Sequence, residues 1–107
     1  QAYKLCHSAR HRAKKAGLPH DLTPEWIFDR TMGRCPRTEA EFHREGHSNG
    51  YLDRSPFAPS LDRIDPEGGY TKDNVQVVVW FYNCAKQRFT DDEVIDLCTR
   101  IAETAAR

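Results

Sequence analysis

A chain of 107 residues, 38% apolar and 30% charged, has room for one small domain with a modest core. Its formal charge is zero, yet residues 1–20 carry Lys4, Arg10, Arg12, Lys14 and Lys15 with no acid, and residues 91–107 carry Asp91, Asp92, Glu93, Asp96 and Glu103 against Arg100 and Arg107. The neutral total hides a polarised molecule whose basic end suits a polyanion, and the absence of any apolar run near ~20 residues excludes a membrane-spanning helix.

Cys6, Cys35, Cys84 and Cys98 contain no C-x-x-C pair, so the usual structural-zinc spacing is missing. With no secretory signal in view, the expectation is reduced, buried thiols, with two fortuitous disulfides as the lesser reading, in a cytoplasmic protein that engages no membrane.

Residues 2–16 form the first expected helix. Ala2, Leu5, Cys6, Ala9, Ala13 and Ala16 recur at steps of three and four, which aligns them on one apolar face. The basic residues lie largely off that stripe, and Gly17 with Pro19 ends the helix. As a solvated surface or as a phosphate-contacting face, Arg10, Arg12, Lys14 and Lys15 read equally well. Thr23-Pro24-Glu25 is a helix start, with Thr as N-cap, Pro at the first helical position and Glu at the positive end of the dipole. Trp26, Ile27 and Met32 are its expected buried side, and Gly33 its end. Between Arg34 and Pro59 the signals are mixed. Cys35-Pro36 suggests a short extended piece, Phe42 and Phe57 are expected core anchors, and the polar, glycine-punctuated run His43–Tyr51 reads as a loop. Thr90-Asp-Asp-Glu93 is a capping box that opens a C-terminal amphipathic helix, with Val94, Leu97, Cys98, Ile101, Ala102 and Ala105 as its packing stripe.

The stretch from Ser60 to Lys86 concentrates the residues capable of chemistry. Ser60-Leu-Asp-Arg-Ile-Asp65 reads as a short strand ending in two carboxylates around an arginine. Pro66, Gly68 and Gly69 break it into a loop. The β-branched run Val75–Val79 is a buried strand, and Trp80 onward suits a helix bearing Asn83 and Lys86. Strand, loop, strand and helix, with acids on the first piece and an amide on the last, converge polar groups on one ion. Taken singly, these residues also have ordinary explanations: Asp-Pro-x-Gly-Gly is common turn grammar, and Asn74 or Asn83 can simply bond a backbone group.

Asp62-Arg63-Ile64-Asp65-Pro66, Gly68-Gly69, Asn74-Val75-Gln76 and Asn83-x-x-Lys86 together resemble the HNH (ββα-metal) nuclease motif, with Asn83 nine residues after Asn74 as in that family. More narrowly, Ser60 to Val78 resembles a phage and bacterial subgroup in which Arg stands in the place of the family's histidine. Ala13-Lys-Lys-Ala-Gly-Leu-Pro-x-Asp-Leu-Thr23 and Cys35-Pro-x-Thr38 resemble the same subgroup, so the likeness covers most of the chain.

The resemblance implies one α+β domain over residues 1–107. A ββα-metal (His-Me finger) core at 60–89, a β-hairpin plus helix, is flanked by a basic helical segment over residues 1–33 and a packing helix over residues 90–107. It implies a metal-dependent endonuclease that nicks or cuts double-stranded DNA, bacterial or phage-encoded, with a possible homodimer accounting for double-strand cuts. Asp62 and Asn83 would hold a divalent cation, Mg²⁺ or alternatively Mn²⁺, since a hard ion takes oxygen ligands and keeps most of its waters. Asn74 would brace the loop, and Lys86, one turn beyond Asn83, would face the same side and hold a phosphate. Arg10, Arg12, Lys14 and Lys15 would meet the DNA backbone. Two departures stand out. Arg63 occupies the general-base position and, being permanently protonated, suits a phosphate clamp; the base or nucleophile is then sought among His43, His47, Tyr51 and Tyr70, or in a water activated by the ion. Val79 and Tyr82 replace the second zinc pair of the family, so apolar packing is expected in place of structural zinc. A DNA-binding module of the same fold without cleavage is the alternative, and a protein-interaction domain using the polarised charge is a third.

Overall fold

A computed structural model of the chain describes residues 1–43 and 54–107. Within them four helices and one hairpin follow in the order α1 (Ala2–Ala16), α2 (Pro24–Thr31), β1 (Pro59–Arg63), β2 (Val75–Val79), α3 (Trp80–Lys86) and α4 (Asp91–Ala105). None of these helices is long and apolar enough to cross a membrane.

The helix signals act as their chemistry requires. Gly17 ends α1 in the left-handed region at φ 69°, where a residue without Cβ is unstrained. The Thr23 hydroxyl accepts from the Trp26 N–H at 3.1 Å and opens α2. Thr90 and Glu93 complete a reciprocal capping box on α4, and the hydrogen bonds from the Thr90 backbone and side chain hold the Glu93 carboxyl below its ordinary value.

β1 and β2 pair antiparallel, with Leu61 opposite Val77 and Asp62 opposite Gln76. Every residue of β2 is buried, because the hairpin is covered on both faces. Cys6, Ala9, Ala13, Leu22, Ile27, Tyr70 and Val75 form one core cluster. Cys35, Phe42, Val77, Val78, Val79, Tyr82 and Val94 form the other, and Leu61 and Trp26 pack against both. Val79 and Tyr82, the residues in the zinc-pair positions, are thus core side chains beside Cys35. Burial works to raise the Cys35 thiol, but hydrogen bonds with Thr38 and the backbone of Val79, Arg37 and Thr38 bring it below its ordinary value.

Several expectations give way. The first strand ends at Arg63 rather than Asp65, because Asp65 turns inward on its own loop and its Oδ1 accepts the Glu67 N–H at 3.0 Å. Met32 and Phe57 are exposed, not core: α2 stops at Thr31, leaving Met32 as its cap on the outer side. The packing stripe of α4 holds only in its first turn. Val94 is buried, whereas Leu97 is 50% and Ile101 68% exposed, because α4 leaves the body of the protein after meeting α3. Of the four cysteines only Cys6 and Cys35 are buried; Cys84 is half-buried and Cys98 is exposed on α4.

The connection before α2 is stitched to the loop between the strands. The Tyr70 N–H donates to the Pro19 carbonyl at 3.0 Å, and the Asp21 N–H to the Tyr70 carbonyl at 3.3 Å. Asp21 Oδ1 in turn accepts the Lys72 N–H at 2.7 Å. Gly69 makes this approach possible, since a Cβ there would lie 2.6 Å from Pro19 Cγ and 2.7 Å from its carbonyl oxygen. Gly69→Ala is therefore expected to lower stability by roughly 1–3 kcal/mol, read as a reduced urea midpoint with an unchanged denaturant slope.

Candidate active site

An open cleft of about 240 Å³ lies where β1, the inter-strand loop, α3 and α1 meet, bordered by Arg12, Asp62, Arg63, Tyr70, Asn83 and Arg88 among others. Asp62 and Asn83 are brought to it by different elements. Asp62 sits next to the end of β1, and Asn83 on α3, which follows β2 without a loop and packs across both strands. The Asn83 amide donates to Ser60 Oγ at 2.6 Å and to the Leu61 carbonyl at 3.1 Å. With Nδ2 engaged, its Oδ1 has no partner among the described residues. Asp62 is 4% exposed and, among the described residues, accepts through Oδ2 only, from Lys86 Nζ at 2.7 Å and Gln76 Nε2 at 2.8 Å. The one buried side-chain nitrogen or oxygen without a partner among the described residues is His20 Nε2, so the unpaired oxygens of Asp62 and Asn83 keep access to the cleft.

Both are oxygen donors of the type a hard divalent ion takes while retaining water. No group of three or more His, Cys, Asp or Glu side chains among the described residues makes a metal cage, so any ion here would take few protein ligands and leave positions for phosphate and water.

Asn74 braces the loop on both sides. Its Oδ1 accepts the Asp65 N–H at 3.0 Å, and its Nδ2 donates to the carbonyls of Gly69 at 2.9 Å and Asp65 at 3.1 Å. A Cβ at Gly68 would come within 2.6 Å of that Nδ2, which explains the second glycine. Arg63 is held from two directions. Its guanidinium donates to the Gly68 carbonyl at 3.0 Å and lies over the Tyr70 ring, 4.7 Å from its centroid, a cation–π contact that fixes the planar group.

Lys86 departs most from expectation. It is fully buried, and its ammonium donates to Asp62 Oδ2 and to the carbonyls of Arg63 at 2.8 Å and Ile64 at 3.3 Å. An ammonium so enclosed is not offered to a phosphate. Asp91, read from the sequence only as a member of a capping segment, belongs to the same cluster. Its carboxylate takes hydrogen bonds from Arg37 at 3.1 Å, Gln76 at 3.1 Å and the Tyr82 hydroxyl, and lies 3.9 Å from Lys86. Burial, then the hydrogen bond and charge of Asp91, push the Tyr82 phenol well above its usual range.

Of the basic face of α1, Arg12 borders the cleft, whereas Arg10, Lys14 and Lys15 are exposed elsewhere on the helix. Arg88 joins Arg12 there, a cation that sequence reasoning passed over because it lies just beyond the motif. Among the candidate bases, Tyr70 borders the cleft. His43 does not: its Nδ1 is 2.8 Å from Ser55 Oγ and its ring lies 5.0 Å from that of Phe57, tilted by 46°. His47 and Tyr51 lie outside the described residues.

A small α+β unit in which an antiparallel hairpin runs directly into a helix, with the cleft at their junction, is an HNH-like fold. A solved structure of the rare-cutting HNH restriction endonuclease PacI superposes with a TM-score of 0.66 over 97% of this chain and 78% of that one, at 17% identity. At that identity the likeness is one of fold. No protein-family model and no curated protein matches the chain.

The three hydrogen bonds of Asn74 make it the main fastening of the inter-strand loop. At about 1 kcal/mol for each bond in a partly exposed setting, Asn74→Ala is expected to cost roughly 1–3 kcal/mol, measurable by urea denaturation, and to loosen Arg63 with the loop.

Proposed function

We propose that the protein is a metal-dependent DNA endonuclease hydrolysing phosphodiester bonds. The observation that carries this reading is the pair of oxygens without a partner among the described residues, Asp62 Oδ1 and Asn83 Oδ1, on a cleft otherwise ringed by Arg12, Arg63 and Arg88. When bound, a divalent ion such as Mg²⁺ or Mn²⁺ supplies positive charge to the non-bridging phosphate oxygen and the departing 3′-oxygen. Asp62 and Asn83 hold it from two separately anchored elements. Arg63, immobilised by Gly68 and Tyr70, grips the scissile phosphate and offsets the charge that grows on it. Arg12 and Arg88 take neighbouring phosphates and set the register of the strand, and the rest of the basic face of α1 adds salt-sensitive affinity. Tyr70 borders the cleft as a candidate proton acceptor, with His47 and Tyr51 as alternatives. One cleft cuts one strand at a time, and a homodimer would account for cutting both strands of a duplex.

A DNA-binding module of the same fold without cleavage is the second reading. Its support is that Arg63 stands where a base is wanted and that, among the described residues, no histidine borders the cleft.

Incubation with supercoiled plasmid and Mg²⁺ or Mn²⁺ separates the two. Nicked or linear product is expected, abolished by chelator and by Asp62→Ala or Asn83→Ala. Arg63→Ala is expected to lower the rate roughly 100–1,000-fold, as for loss of a transition-state donor. Salt-sensitive DNA retention with no product would select the binding module, and neither retention nor product would sink both.

A further inference from the structure

The lysine at the end of α3 raises a question that packing alone does not answer. Burying a charged pair is costly, and a well-packed apolar side chain in its place is often no less stabilising. Lys86 nevertheless lies fully buried against Asp62, with its remaining donors on the carbonyls of Arg63 and Ile64. All three acceptors belong to the end of β1 and the first residue beyond it, the segment that presents Asp62 and Arg63 to the cleft.

Gln76 reaches the same carboxylate oxygen from the opposite strand, where the hairpin register pairs it with Asp62. Its amide has a fixed sense. Arg37 Nε can only donate, and it lies 2.9 Å from Gln76 Oε1, so Nε2 must point towards the carboxylates. There it bridges Asp62 Oδ2 and Asp91 Oδ1 at 2.8 and 3.1 Å. Both donors to Asp62 therefore converge on Oδ2, and neither touches Oδ1.

We propose that Lys86 and Gln76 are positioning residues for the metal ligand: a two-donor clamp that immobilises Oδ2 of Asp62 and thereby presents Oδ1, at a fixed angle, to the ion. The inference rests on the reading of Asp62 as a metal ligand given above. Hydrogen bonds to the non-ligating atoms of a metal ligand set its orientation, and their loss typically weakens metal affinity roughly 10–100-fold. Arg37 acts one step further out, by setting the sense of the Gln76 amide.

The experiment is Mn²⁺ binding to the full chain, by isothermal titration calorimetry or by loss of the free-ion electron paramagnetic resonance signal, without DNA. Wild type, Asp62→Ala, Gln76→Ala, Lys86→Met and Tyr82→Phe are compared, each with its thermal unfolding curve. Tyr82→Phe is the structural control, because it removes a bond to Asp91 in the same network and none to Asp62. The expected result is binding by wild type, its loss in Asp62→Ala, Mn²⁺ dissociation constants roughly 10–100-fold higher in Gln76→Ala and Lys86→Met, and an unchanged constant in Tyr82→Phe. Where Lys86→Met does not fold, Gln76→Ala decides. Loss in Asp62→Ala with wild-type affinity in Gln76→Ala overturns the clamp and leaves the metal site standing. Equal weakening in Tyr82→Phe and Gln76→Ala also overturns it, since general loosening of the network then explains both. No Mn²⁺ binding by wild type, or equal binding by Asp62→Ala, overturns the metal site itself and the clamp with it.

Discussion

The buried ammonium of Lys86 is the interaction on which the rest of the structure depends. A lysine taken wholly out of water is tolerable only if its charge and its donors are met by protein. Here that requirement draws together segments of the chain far apart in sequence. Asp62 comes from β1, the Arg63 and Ile64 carbonyls from the strand end, and Asp91 from the first turn of α4. Arg37 closes the set from the segment before the hairpin, bonding both Gln76 and Asp91. Two cations and two carboxylates balance within the cluster. The polar groups thus specify how α3 and α4 meet the sheet, a task that interchangeable apolar contacts perform less uniquely.

Around this cluster the hairpin packs against two apolar groups. Val75 belongs to the core built with residues of α1 and α2, while Val77, Val78, Val79 and Tyr82 belong to the other. A run rich in β-branched residues is what a strand covered on both faces requires, and Val75–Val79, with Gln76 as its one exception, was legible in that respect. The same logic read α4 poorly. Its periodicity correctly marks an apolar face, but periodicity does not say what lies opposite, and after Val94 nothing among the described residues covers Leu97 or Ile101. Met32 and Phe57 were misread for a related reason: a large apolar side chain near a helix end or a turn is buried only if the chain returns over it.

The family resemblance, more than composition, drew attention to Asn74 and Asn83. In the structure Asn74 bonds the loop at Asp65 and Gly69, and the Asn83 amide bonds Ser60 and Leu61. Lys86 was placed on the right helix and given the wrong surroundings. One turn beyond Asn83 it shares that residue's general direction, yet whether a side chain meets solvent or another strand is a tertiary fact. Gln76 was named within the motif but given no role, although pairing β1 with β2 in register sets it opposite Asp62. Asp91 was hidden by its other occupation, since an acid in the first turn of a helix is already explained by the dipole.

The bonds joining Pro19 and Asp21 to Tyr70 and Lys72 have a mechanical consequence. They tie the chain that leaves α1, the helix carrying Arg12, to the loop over which Arg63 is folded. The backbone separation of the two cations proposed to grip phosphate is thereby set by main-chain bonds within the fold, and adjustment to a phosphate chain falls to the exposed side chain of Arg12.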